Sequence, residues 1–144
     1  MTSVRESVVV VTDEQIWMSH GDDLIRYANV LVGRDDAYDV VVAAFLRASR
    51  RGWRDVVDVR PYLYRAVTNE ARNSRRNEAR RRVRDRHALL PTESVQSESQ
   101  PEVRAAVADL SIKQRAVVYL SYWRDLSDAE IAELLQISRS SVRR

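Results

Sequence analysis

Arginine supplies most of the chemistry this chain could perform. Of its 24 basic residues only Lys113 is lysine, and eight arginines fall within residues 70–86 against three acids. That short segment carries a charge of +5, more than the +3 of the whole chain, whereas residues 1–48 hold four arginines against eight acids. Forked guanidinium groups suit phosphate oxygens and base edges. A basic stripe on one element is the electrostatic footprint of nucleic-acid binding, with a solvated helix face as the bland alternative. On this stripe Arg72 and Arg76 are the candidate DNA contacts. A second group, Arg139, Ser140, Ser141, Arg143 and Arg144, offers further donors to phosphates and base edges. Enzymatic chemistry has little to work with. There is no cysteine, and His20 and His87 stand far apart. No glycine-rich phosphate loop and no nucleophile with a matched base is present. The "HGDD" of residues 20–23 could ligate a metal, but an exposed helix turn is the simpler reading. No catalytic residue, metal or cofactor is therefore expected.

The elements that must position these arginines read as helices. Hydrophobic content of 44% with 31% charge is globular composition, and only 3 Gly and 3 Pro argue against a turn-rich β fold. The longest apolar run, Val40–Leu46, is far too short to span a membrane. With no cysteine and no signal peptide visible, a cytoplasmic protein without membrane insertion is expected. Thr12 with Gln15 forms a capping box, and Trp17, Leu24, Tyr27, Ala28 and Leu31 follow a helical stripe to Gly33, with Gly21 a candidate interruption. Asp35 is placed to cap the next helix. There Ala37, Val40, Val41, Ala44, Phe45 and Ala48 make the clearest amphipathic pattern, ending at Gly52. Residues 53–60 read as a loop, and Pro61 suits the first turn of a helix. Along that helix Leu63, Val67 and Ala71 are apolar, and beyond Ser74 it becomes polar and basic.

Residues 87–101 are rich in proline and serine and read as a linker. After it, "PEVRAAVADL" is a helical pattern. Ser111 with Gln114 caps a helix through about Arg124, Ser127 with Glu130 caps another, and Ser138 caps a last one. Ala132 is small where two helices must cross. Ile131 and Leu135 face inward, Ile137 plugs the turn and Val142 faces back, which is the spacing of a helix-turn-helix. The expected fold is all-α: two small helical domains, 1–86 and 102–144, joined by a flexible linker over 87–101, the C-terminal one a helix-turn-helix. The last helix is too short to stand alone in water, so residues 138–144 are expected to fray and to read DNA weakly as they stand.

Two long stretches carry a family resemblance. "LSIKQRAVVYLSYWRDLSDAEIAELLQISRSSVRR", residues 110–144, resembles the C-terminal promoter-binding domain of extracytoplasmic-function sigma factors. "GRDDAYDVVVAAFLRASRRGWRDVVDVRPYLYRAVTNEARNSRR", residues 33–76, resembles their N-terminal domain, in the same order. The resemblance implies a non-enzymatic factor that directs RNA polymerase to promoters and helps open them. Core RNA polymerase and promoter DNA are the implied partners, with an anti-sigma factor as a further one and no small-molecule substrate. In such factors the helix matching Asp35–Arg51 grips the polymerase, here implying Asp39, Val42, Ala43 and Leu46. The following loop captures an unpaired base of the minus-ten element, implying Trp53 and Arg54, and the next helix adds Asn69, Arg72, Asn73 and Arg76. The final helix enters the major groove at the minus-thirty-five element, implying Arg139, Ser140, Ser141, Arg143 and Arg144. The chain departs from the pattern at Val42 and Ala43, which replace a Gln and an acid. It departs again at Gln136, which stands where the turn usually has Gly and should carry a left-handed backbone. A sigma-like decoy that binds an anti-sigma factor without engaging promoters is the alternative reading, and a stand-alone transcription regulator is a third.

Overall fold

The computed structural model describes residues 11–84 and 110–143, with side chains described for 11–77 and 110–143. The linker at 87–101, His87, the helical pattern over 101–109 and Arg144 lie outside the described residues. Six helices are described: α1 (Asp13–Val32), α2 (Arg34–Arg51), α3 (Val59–Arg84), α4 (Ile112–Tyr122), α5 (Asp128–Leu135) and α6 (Arg139–Val142). The all-α expectation holds, and no strand occurs among the described residues. No described helix is long and apolar enough to cross a membrane.

Most helix starts and stops follow from local chemistry. Thr12, Ser111 and Ser127 each close a capping box with the Gln or Glu three residues on, and Ser138 accepts from the Ser141 amide. These caps satisfy amides that have no partner within the helix. Gly33 and Gly52 end α1 and α2 with φ of 90° and 81°, a region that favours glycine. Two expectations are corrected here. Gly21 does not interrupt α1; it is buried beneath the Trp17 ring, where an added Cβ would lie 3.2 Å from Trp17 Cε2. Its small size serves packing. Asp35 is not the cap of α2. The chain turns within Gly33 alone, so α2 begins at Arg34 and Asp35 falls in its first turn. Helix α4 also ends slightly early, at Tyr122, with Trp123 as its cap.

Burial follows the expected stripes. Leu24, Tyr27, Ala28 and Leu31 of α1, all six apolar positions of α2, and Leu63, Val67 and Ala71 of α3 are buried. The first three helices pack on one another, α4 packs on α1 and α3, and α5 packs on α3 and α4. The buried side chains of both modules form one continuous hydrophobic cluster, in which Ile112, Leu120, Ile131 and Val142 join Tyr27, Val41 and Val67. Burying a large apolar side chain contributes about 1.5–3 kcal/mol, so this shared core holds the modules side by side.

A reciprocal pair of arginines crosses the junction. Arg115 of α4 donates to the Leu31 carbonyl at the end of α1, at 2.8 Å. Arg65 of α3 donates to the Leu134 and Glu133 carbonyls at the end of α5, at 2.8 and 3.3 Å. Neither α1 nor α5 has a basic residue in its own last turn. Each therefore takes its C-terminal cation from the other module.

Candidate nucleic-acid interface

The basic face of α3 begins where its apolar stripe ends. Asn69, Arg72, Asn73 and Arg76 recur at the spacing of one helix face, and all four are exposed. Arg72 and Arg76 take no ion-pair partner among the described residues. Their guanidinium groups are thus available to an anion. Toward its start the same face meets the other module. Asn69 and Arg72 share with Arg65, Thr68, Lys113, Leu135 and Ile137 a gap of only about 10 Å³, barely room for one water. The candidate minus-ten face and the turn of the helix-turn-helix therefore abut.

That turn is built as its spacing predicts, with one addition. Ile131 and Ala132 are buried, Ile137 packs against the core, and Val142 closes the pair from α6. Leu135 is only half buried, and Leu134, not singled out in the sequence, takes the deeper place. Gln136 has φ 56° and ψ 48°, the left-handed conformation expected of the position. Its amide and that of Ile137 return to the end of α5, Ile137 donating to the Ala132 carbonyl at 3.0 Å.

On the outward start of α6 the candidate residues divide. Arg139 and Ser140 are exposed, and Arg139 takes no ion-pair partner among the described residues. The Ser141 hydroxyl lies 2.8 Å from the capping hydroxyl of Ser138. Arg143 is already engaged, its Nε 3.1 Å from Asp128 Oδ2. Both partners are largely exposed, so the pair contributes little and yields readily to a phosphate.

The remaining candidates lie on the first module. Asp39, Val42, Ala43 and Leu46 form the outward stripe of α2, opposite its buried one. Val42 and Ala43 are half buried, while Leu46 and nearby Tyr38 are 51% and 58% exposed. Arg54 is exposed on the loop between α2 and α3. Trp53 is not presented freely. It is half buried against Phe45 and Tyr62, with ring centroids 5.7 and 6.3 Å away, and its Nε1 donates to Asp13 Oδ1 at 2.6 Å. The "HGDD" residues lie on α1, and no cluster able to hold a metal occurs among the described residues. Asp23 faces arginines instead: Arg26, Arg60 and Arg124 approach it at 3.9, 3.4 and 3.5 Å.

Comparison with known proteins fits this geometry. Residues 101–144 match the family model described as sigma-70, region 4. The chain also resembles a solved structure of the sigma factor RpoE in complex with the anti-sigma factor NepR, from Bartonella quintana. That match has a TM-score of 0.70 and 18% identity, and covers 90% of this chain and 86% of that one. Residues 101–144 therefore carry the sigma-70 region 4 pattern, and the chain as a whole shares the fold of that sigma factor. No curated protein matches it by sequence. The helix-turn-helix over α5 and α6 lies within the region 4 match, and the likeness in fold, which covers 90% of the chain, takes in α1–α3 as well.

Residues that matter to the candidate site but escaped the sequence reading are Asp13, Ser49, Arg65 and Arg115. Asp13 carried a local signal only as a first-turn acid, and its partners lie 36 and 40 residues away. Arg65 and Arg115 reach across the junction, and nothing local marks them.

Proposed function

We propose that this chain is a sigma factor of the extracytoplasmic-function type, which recruits core RNA polymerase to promoters through three separate surfaces. The outward stripe of α2, with Asp39, Val42, Ala43 and Leu46, docks on the polymerase. The loop after α2 and the exposed face of α3 bind the minus-ten element, through Arg54 and through Asn69, Arg72, Asn73 and Arg76. The start of α6 enters the major groove at the minus-thirty-five element. The observation that carries this reading is the region 4 match over a helix-turn-helix, combined with exposed arginines on the outward face of α3 that take no ion-pair partner among the described residues. Base stacking contributes about 1–3 kcal/mol per base. One captured base can bias melting but not drive it, so the polymerase is an obligate partner and the factor is no enzyme.

An anti-sigma factor is a further proposed partner, on the strength of the similar sigma factor bound to NepR. A pure decoy is the weaker reading, since it has no use for an exposed basic face beside a DNA-reading fold. In vitro transcription with purified core polymerase and a genomic fragment library tests the proposal. Discrete transcripts that depend on the factor are expected. Their absence, with retained binding to an anti-sigma protein, would move the chain to the decoy class.

A further inference from the structure

The loop between α2 and α3 is held on a frame that no local signal announces. Asp13 is the first residue of α1, fixed by the Thr12 capping box. One of its carboxylate oxygens accepts from Trp53 Nε1 and the other from Ser49 Oγ, both at 2.6 Å. The start of α1, the end of α2 and the entry to the loop thus meet on one carboxylate. The Trp53 ring is packed between Phe45 and Tyr62, and the Val56 amide donates back to the Trp53 carbonyl at 3.2 Å. At the far end Asp58 accepts from the Arg60 amide at the start of α3. Between these two fixed ends Arg54, Asp55, Val57 and Asp58 are exposed.

A site that captures a base already leaving its stack gains most when the protein need not reorganise to receive it. Deepening the reading given above, on which it rests, we propose that Asp13 is a positioning residue for promoter opening. Its carboxylate holds Trp53, and through Trp53 it sets the geometry of the loop whose exposed tip meets the extruded base. Trp53 then acts as the frame, and Arg54 with its neighbours provides the contact. Hydrogen bonds to an ionised carboxylate are roughly twice as strong as neutral ones, which suits an anchor made at the protein surface.

The test uses the full chain with core polymerase and a promoter that the factor opens. Asp13→Ala should bind core as the wild type does but open the duplex about fivefold more slowly or worse, within what one hydrogen bond to a charged group contributes. Its Trp53 indole N–H resonance should lose the downfield shift and exchange protection of a carboxylate-bound donor. Asp13→Asn should retain most of the opening rate, because its amide oxygen accepts from Trp53 while its nitrogen donates to the Ser49 hydroxyl. Glu14→Ala removes a neighbouring first-turn charge without touching the loop and should open normally. Trp53→Phe, which keeps a ring but no donor, should reproduce the loss, and the double variant should be no worse. Wild-type opening by Asp13→Ala with a displaced Trp53 resonance would overturn the proposal, as would an equal loss in Glu14→Ala. Substituting Arg54 and Val57 separates the two levels. If those tip variants open normally, the loop does not contact DNA and the wider reading fails; if they are impaired while Asp13→Ala is not, only the role of Asp13 is lost.

Discussion

Single residues show both what local chemistry reveals and where it stops. The left-handed backbone at Gln136 was legible through the family resemblance, because the turn of such domains usually has Gly at that place, and the structure has it. A side chain in that region costs about 1–2 kcal/mol, partly offset by the greater unfolded freedom of glycine. Gln136→Gly should therefore stabilise the protein by about 0.5–1 kcal/mol, read as a higher thermal midpoint with unchanged DNA affinity. Asp13 is the opposite case, since no rule of spacing links it to Ser49 and Trp53. The Ser49 hydroxyl first, and then the Trp53 indole, hold its carboxyl below the ordinary value of 3.8. The folded protein thus favours the ionised form. The stability that the anchor adds is present above pH 3.8 and is lost as pH falls through the lowered folded value. The difference in thermal midpoint between the wild type and Asp13→Ala should be constant near neutrality and shrink below about pH 3.8. On α3, replacing Arg72 and Arg76 with Ala should flatten the slope of log affinity against log salt. The expected change is about 0.7–0.9 for each phosphate contact removed, and an unchanged slope would return the stripe to a solvated face.

Helices and their caps were largely legible, because a capping box and an apolar stripe are written in consecutive residues. Their assembly was not. The α2 stripe could be read to the residue, but nothing in it says which helices it meets. The arginines that close the ends of α1 and α5 come from 84 and 69 residues away. Arg115 is buried, and burial lowers the pKa of its guanidinium from its ordinary value, a cost accepted for the hydrogen bond to the Leu31 carbonyl. Arg115→Ala should destabilise the chain by about 1–3 kcal/mol, the cost of an unsatisfied buried polar group. Arg65→Ala, at a wetter site, should cost less. Denaturant titration of both variants checks the order, and equal values would mean that the two caps are not distinguished by burial.

At the scale of the molecule, the close packing of the modules and the proposed promoter contacts make different demands. The two promoter elements are separate stretches of duplex, and every base pair between them adds about 3.4 Å. In this structure the two candidate faces share one small gap. The covalent connection from Arg84 to Leu110 can span at most about 3.3–3.6 Å per residue, roughly 85–95 Å in all. Such a connection lets the modules part, as contact with both elements at once would require. Fluorescent labels on α3 near Arg76 and on α6 near Arg139 should move apart by tens of ångströms when the promoter complex forms. A constant separation would show that only one element is engaged at a time.

The aromatic seam of that junction is also a meter of its own closure. Tyr27 sits between Tyr64 and Tyr119, with ring centroids 4.8 and 5.1 Å away, and joins the first module to the second. Burial pushes the Tyr64 phenol up to about 12, Tyr27 further still, and raises Tyr119 as well. Neutral phenols thus favour the closed form, and their contribution is intact below pH 10 and lost as pH rises through 12. Base should therefore separate the modules as promoter binding is expected to. Phenolate absorbance in the ultraviolet would follow the opening in the unlabelled protein. A complex that holds the modules apart should release these tyrosine protons at lower pH than the free factor does.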